Sequence, residues 1–303
     1  MQPKIYFDYS KWRTTTTRTV ANALKLIGLI GTAAWNVAGS GGATARAAAP
    51  DKSGYTFFNP TPDALLREVT TDRPDATESP FTVDAGRVQL EMDFANYGRN
   101  RLDGVRTTEW EVAPFNLRLG LTRDVEAGIF VTPFRREVET PRAGPGGQNS
   151  GFGDVTLRTK FNLLGNDGGA WATGLMADLK LPTATLGMSN GKVEGALTLP
   201  VAFDLGGGWG GGAMTYVEMR YTGADGHRAV WGNTVTVGRD LTEKLGAFVE
   251  LTSEAGDGSH VATFNCGVTF ALARDVQIDG GVNLGITRSA PDAQVFVGVS
   301  RRF

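Results

Sequence analysis

One cysteine in 303 residues, Cys266, excludes an internal disulfide framework. Two histidines, His227 and His260, leave no Cys/His spacing able to ligate zinc, and no cofactor is implied. The net charge is only −2, so no concentrated basic face points to nucleic acid as a partner. Long hydrophobic runs are missing too. The longest, residues 26–38, is about thirteen residues, short of the ~20 a spanning helix needs. The glycine-rich run at 206–212 (GGGWGGG) lacks the Lys-Ser/Thr of a phosphate loop. Ser259-His260 is the only pair that invites a catalytic comparison, with the outer-membrane phospholipases, and neighbours in a loop do not supply matched positions on a wall. The chain is therefore not expected to be an enzyme.

What is present is glycine, 41 residues of it, and alternation. Residues 293–303 read AQVFVGVSRRF. Val295, Val297, Val299 and Phe303 share one face, and Gln294, Gly298, Ser300 and Arg302 the other, which is the period of a strand. The aromatic end fits a closing barrel strand, although Arg301 stands where an apolar residue is usual. From Gly86 onward, segments of about ten residues repeat this pattern. Val88, Leu90, Met92 and Phe94 oppose Gln89, Glu91 and Asp93. Val155, Leu157, Phe161 and Leu163 oppose Asp154, Arg158, Lys160 and Asn162. Leu175, Ala177 and Leu179 oppose Asp178 and Lys180. Similar segments begin near Glu194, Trp209, Val230, Leu245, Val261 and Val276. Residues 106–121 change phase near Pro114, as a bulge would make them do, and 125–138 contain Pro133.

The count is about twelve, and single-chain bacterial barrels require an even number. Short connections (122–124, 165–169, 206–208, 241–244, 273–275) alternate with longer ones (139–151, 183–193, 222–229), as periplasmic turns alternate with outer loops. Trp110, Trp171, Trp209 and Trp231 fall near strand ends, where aromatic girdles sit. Cys266 alternates with Phe264 and Val268, so a small apolar role on the outward face is expected. The pattern predicts an all-β fold, a transmembrane antiparallel up-and-down β-barrel over residues 86–303, in the bacterial outer membrane with the lipid bilayer as partner. A soluble sandwich gives no reason for alternating loop lengths.

The first 49 residues predict a signal peptide: Lys4, Lys11, Arg13, Arg18 and Lys25 precede the apolar run, and small residues at 43–49 offer cleavage sites. Residues 50–85 form a periplasmic or lumenal segment. Within it Thr61 and Pro62 predict a short helix, as N-cap and first residue. Residues 71–83, TDRPDATESPFTV, are dense in proline and in charges of both signs, including Asp72, Arg73, Asp75 and Glu78. Two readings stay open. The segment is either a plug salt-bridged inside the lumen or a solvated lead-in whose prolines stop strand extension.

That motif, followed by Gly86 and the strand Gln89-Leu90-Glu91, resembles the meta-pathway phenol-degradation family of outer-membrane transporters. The resemblance covers roughly residues 68–303 and implies a barrel tied to uptake of aromatic compounds. The carboxy-terminal strand likewise resembles the signal that outer-membrane assembly machinery recognises, with Gly298 and Phe303 in place. Independently of the resemblance, inward faces carry Glu91, Asp93, Arg118, Arg158, Lys160, Asp178, Lys180, Asp204, Glu218, Arg220, Glu250 and Asp279. Charges of both signs fit a water-filled path for a small-molecule solute or a closed network. The expected function is a channel or transporter for small molecules; the alternative is a non-conducting structural or enzymatic barrel.

Overall fold

The computed structural model describes residues 50–223, 226–256 and 258–303. The signal peptide expected over residues 1–49 lies outside them.

Fifteen antiparallel ladder segments build the sheet. They are β1 (Val88–Leu102), β2 (Val105–Val112), β3 (Phe115–Gly120), β4 (Val125–Val131), β5 (Phe134–Pro141), β6 (Gly147–Gly151), β7 (Val155–Leu164), β8 (Trp171–Leu181) and β9 (Glu194–Gly206). The remainder are β10 (Trp209–Tyr221), β11 (His227–Asp240), β12 (Leu245–Gly256), β13 (Ser259–Ala273), β14 (Val276–Gly285) and β15 (Ala293–Arg302). β15 pairs along β1, from Gln89 with Arg302 to Arg99 with Ala293, and closes the barrel. Closure leaves no unpaired edge, which is what a strand structure in lipid requires.

Three pairs of segments are collinear. β1 pairs with β3 at its start and with β2 at its end, so β2 and β3 are one strand interrupted at Ala113-Pro114. β4 and β5 make another, broken at Thr132-Pro133, and β6 with β7 a third, broken at residues 152–154. The closed barrel among the described residues therefore has twelve strands. Proline marks two of the breaks, because it cannot donate to the ladder; the third, Phe152-Gly153-Asp154, contains none. Ala113 turns the chain with a positive φ of 53°. The three breaks lie side by side in register, and β1 has its own irregularity beside them, between Asp93 and Ala95. The bulge expected at Pro114 is thus one part of a band of missing ladder bonds across adjacent strands.

The faces divide as the alternation predicts. Leu157, Phe161, Leu163, Leu175, Leu179, Val295 and Val297 are all exposed outward. In water they would be a liability; in a bilayer they are the lipid face. Val155 is only half exposed, beside the break. Cys266 lies on the same outward face of β13 as Phe264 and Val268 and is half-buried. All four singled-out tryptophans are exposed; Trp171 and Trp209 open their strands, whereas Trp110 and Trp231 sit inside β2 and β11. Phe303 is exposed, its N–H bonded to Val88 O at 2.8 Å, with the Arg301 guanidinium 4.6 Å from its ring.

The loop asymmetry is weaker than expected. Strands β5 and β6 occupy most of 139–151, and β11 begins at His227, so only residues 182–193 form a long outer connection. Extra strand length, not loop, projects beyond the wall. Both histidines accordingly start on strands rather than loops. The helix expected after Thr61 is a single 3-10 turn, Asp63–Leu65; Pro62 takes the cap position and makes no side-chain cap bond. Thr61 instead donates its N–H to Ala85 O at 3.0 Å, which pins the segment to the barrel rim.

Candidate functional site

The start of β1, the end of β15 and the short turns share one rim, the periplasmic one for a barrel of this kind. There Asp84 is a hub: Arg67 Nε lies 3.0 Å from it, Arg302 Nη1 3.3 Å and Lys52 Nζ 3.6 Å. Lys52 also reaches Asp167 at 2.8 Å, as does Arg123. Burial alone would raise the Asp167 carboxyl, but Lys52, Arg67 and Arg123 together hold it below the usual carboxylate range.

From this rim residues 70–84 go into the lumen and return, so the plug reading describes the geometry. Each bend is tied to a different wall. Val83 N–H donates to Glu126 on β4 at 2.7 Å, and Asn162 on β7 donates to Pro80 O at 2.9 Å. Glu78 sits 3.0 Å from Arg158 on β7. Across the lumen, Glu250 on β12 accepts the N–H groups of Ala76 and Thr77 at 2.9 and 2.7 Å. Asp75, half-buried, is hydrogen-bonded to Thr236 on β11. Arg73 is clamped between Asp93 on β1 and Asp279 on β14, each at 2.5 Å.

Gly298 on β15 makes that clamp possible. A Cβ there would collide with the Arg73 guanidinium and with Met92 O.

The centre of the network is a buried, sign-alternating cluster. Arg118 on β3, completely buried, donates to Glu91 at 2.6 Å and to both oxygens of Glu126 at 2.9 Å. Lys160 on β7, equally buried, lies 2.5 Å from Asp72, and Arg118 lies 3.4 Å from the same carboxylate. Asp72 N–H in turn donates to Glu91. Buried charges persist only when paired and hydrogen-bonded, because removing each ion from water costs several kcal/mol. Here the plug supplies part of the pairing, so its seating and the wall's charge depend on one another.

Not every expected lumen residue joins the plug. Asp178 engages Arg158 through two contacts of 2.6 Å, a wall-to-wall pair. Lys180 turns to Glu194 at 2.7 Å and Asp154 at 3.3 Å. Arg220 binds Glu218 and Glu254, both at 2.9 Å. Neither base contacts the plug. They stand further along their strands, beyond its reach. Asp204 shares the inward face of β9 with Thr198 but is exposed near the strand's rim end. The sequence reading missed Glu126, Glu109, Glu111, Arg135 and Glu254. Glu109, Glu111 and Arg135 lie near the breaks at Pro114 and Pro133, where the alternation loses phase.

Toward the outer mouth, Glu109 and Glu111 on β2 face inward because Trp110 and Val112 face out. Glu109 is fully buried against Arg135 of β5. His260 Nε2 is 3.0 Å from Ser253 Oγ, not paired to Ser259, on the outward faces of β13 and β12. Among the described residues no further hydrogen bond orients that ring. No group of three His, Cys, Asp or Glu suited to a metal occurs among the described residues.

Comparisons with known proteins agree with this architecture. An outer membrane channel from Pseudomonas putida F1 superposes with a TM-score of 0.58 at 14% identity, over 77% of this chain and 100% of that one. The β domain of the Bordetella autotransporter BrkA gives 0.50 at 13% identity, over 72% and 99%. The Ralstonia pickettii toluene transporter TbuX gives 0.43 at 7%, over 72% and 88%. No curated protein matches the chain. Residues 71–303, from the first plug residues to the last strand, match the family described as "Putative MetA-pathway of phenol degradation", and the chain belongs to that family of outer-membrane barrels.

Proposed function

We propose that the protein is an outer-membrane channel for small molecules, aromatic compounds among them, held shut by residues 70–84. The observation that carries this is the plug's attachment to walls all round the lumen: Asp93 on β1, Arg158 on β7, Glu250 on β12 and Asp279 on β14. A wall that needed only internal neutralisation would pair its own charges, as Lys180 and Arg220 do. Instead Lys160 lies nearer the plug's Asp72, at 2.5 Å, than the wall's Glu126, at 3.7 Å, and Glu250 takes two N–H donors from the plug beside one from Asn265. Family membership supports the aromatic class. Among the described residues no assembled set of groups supports a catalytic role, since no further hydrogen bond orients the Ser253–His260 pair.

Deleting residues 55–80 should raise single-channel conductance in planar bilayers while heat-modifiable migration still reports a folded barrel. Electrical silence of both full-length and truncated protein would mean a closed structural barrel and end the transport reading. The band of aligned breaks favours a second route, from the lumen sideways into the bilayer, for apolar solutes. Filling it with Gly153→Phe should then slow toluene uptake into liposomes more than it slows potassium chloride conductance. Equal effects on both would remove that route.

A further inference from the structure

Four arginines stand on the outward faces of β1, β2 and β5, at the end of the barrel away from the plug's rim. Arg99 and Arg101 alternate on β1 with the buried Gly98 and Asn100. Arg106 alternates on β2 with the buried Thr107, and Arg136 on β5 lies between the inward Arg135 and Glu137. All four are exposed. In register Trp110 lies between Tyr97 and Arg136, and Arg101 faces Arg106. The Tyr97 and Trp110 rings pack 4.6 Å apart. A spanning strand takes about 9–11 residues, so β1, which starts at Val88 on the periplasmic rim, leaves the apolar band near Tyr97. Arg99 and Arg101 follow it, at the headgroup level of the outer leaflet.

The patch is confined to one side of the barrel. On β7 to β15 the outward bases among the described residues are Arg239 and Arg301, both at periplasmic strand ends, against the rings of Trp209 and Phe303. No outward position of β1 to β5 is acidic. Two loop acids come near. Asp292 lies 3.8 Å from Arg99, and Asp103 is taken by Arg288 at 2.8 Å. Among the described residues Arg101 and Arg106 have neither an ion pair nor a side-chain hydrogen bond, although they oppose each other directly across the ladder. Like charges directly opposite on one face destabilise a sheet, so this pair asks for an anion shared between its members.

We propose that this face holds a phosphorylated lipid of the outer leaflet, one phosphomonoester shared by Arg101 and Arg106 and the acyl chains lying on Trp110, Val112 and Phe134. Guanidinium is the base at all four positions, and its planar fork matches phosphate oxygens two at a time. A phosphomonoester carries about −1.5 to −2 charges, enough for two guanidinium groups. A phosphodiester carries a single charge and would leave one of them uncompensated. Trp110, Val112 and Phe134 are exposed on the same outward face, on the mid-bilayer side of the arginines. Apolar surface continuous with the bases selects a lipid over free phosphate. The lipid is bound from outside the barrel, so the site does not depend on whether the lumen conducts.

Native mass spectrometry of the full-length protein in detergent tests it. Lipid A, an acylated disaccharide bearing phosphomonoesters, is the probe, and phosphatidylglycerol is the phosphodiester comparison. Lipid A adducts should outnumber phosphatidylglycerol adducts and survive an excess of inorganic phosphate. They should fall roughly tenfold or more in the double variant Arg101→Ser, Arg106→Ser, and stay unchanged in Arg239→Gln at the opposite rim. Unchanged adducts in the double variant, equal retention of phosphatidylglycerol, or displacement by inorganic phosphate overturns the site. Heat-modifiable migration checks that the double variant folds. If it does not, the urea midpoint of Arg106→Gln decides. Without lipid A this variant should match or exceed the wild type, because a like-charge pair is gone. Added lipid A should raise the wild-type midpoint and leave the variant's where it was; the same rise in both overturns the shared phosphate.

Discussion

The two halves of the lumen solve the problem of buried charge in opposite ways. In the periplasmic half Asp72, Arg118, Glu91, Glu126 and Lys160 alternate in sign, each within 3.4 Å of an opposite charge or a donor. In the outer half Glu109 and Glu111 share Arg135, and Glu111 keeps an unpartnered oxygen. The inserted piece of chain serves the periplasmic half, and the outer half opens toward the cell exterior. Neither half is fully satisfied, since Asp72 Oδ2 and both amide atoms of Asn116 are buried without a hydrogen-bond partner among the described residues; the difference is that the plug supplies part of the pairing in one half and none in the other.

Breaking the plugged half should do the most damage. Arg118→Ala leaves Glu91, Glu126 and Asp72 without their shared guanidinium, and removal of one partner from a buried network costs about 3–5 kcal/mol. The urea midpoint of folding in lipid should fall accordingly, and Glu111→Gln in the outer half should leave that midpoint unchanged or raise it. A comparable loss in both variants would erase the distinction between the halves.

Leu157→Arg tests the outer surface on which both halves depend. Leu157 is exposed on the lipid face of β7, next to the lumenal Arg158. A charge there should cost about 2–4 kcal/mol near mid-bilayer, read as the same midpoint. No change would mean that the faces are assigned the wrong way round.

Gly298→Ala addresses the junction of the halves. The added methyl meets the Arg73 guanidinium and Met92 O, so Arg73 must leave Asp93 and Asp279. About 1–3 kcal/mol of overpacking is expected. Conductance should rise in the full-length protein, because the plug loses its clamp; a stability loss with conductance unchanged would assign Gly298 to packing alone.

The smallest effect lies at the rim. Asp167 has a folded-state pKa below its unfolded value, so its contribution is present above about pH 4 and is lost as pH falls through the folded value. Acidification from pH 7 to 3 should lower the wild-type midpoint, and Asp167→Asn should remove part of that drop, about 1 kcal/mol or less. An identical acid limb in both would discharge Asp167 from the latch.

Sequence and structure contributed unequally to these halves. Glu91, Arg158 and Lys160 were legible as lumenal because their strands alternate without interruption. Glu109, Glu111 and Arg135 were not, because prolines at 114 and 133 reset the phase beside them. A count of alternate residues outward from Trp110, whose ring must face lipid, would have found Glu109 and Glu111. Lys180 and Arg220 stand on the inward face that alternation gives them but pair with wall acids and not with the plug, since alternation gives a side and not a height.

By itself the sequence determined the strands, the inward and outward faces, the closure of the last strand on the first, and the presence of a charged segment ahead of β1. Those features follow from local periodicity and from the requirement that backbone groups in lipid be paired within the structure. Tertiary structure alone decided that Arg73 meets Asp279, 206 residues away, and that the breaks of three strands fall side by side. It also decided that the plug neutralises part of one half of the lumen and that Arg135 stands opposite Glu111 in the other. Such pairings depend on the stagger of strands around a closed wall, which no single stretch of chain encodes.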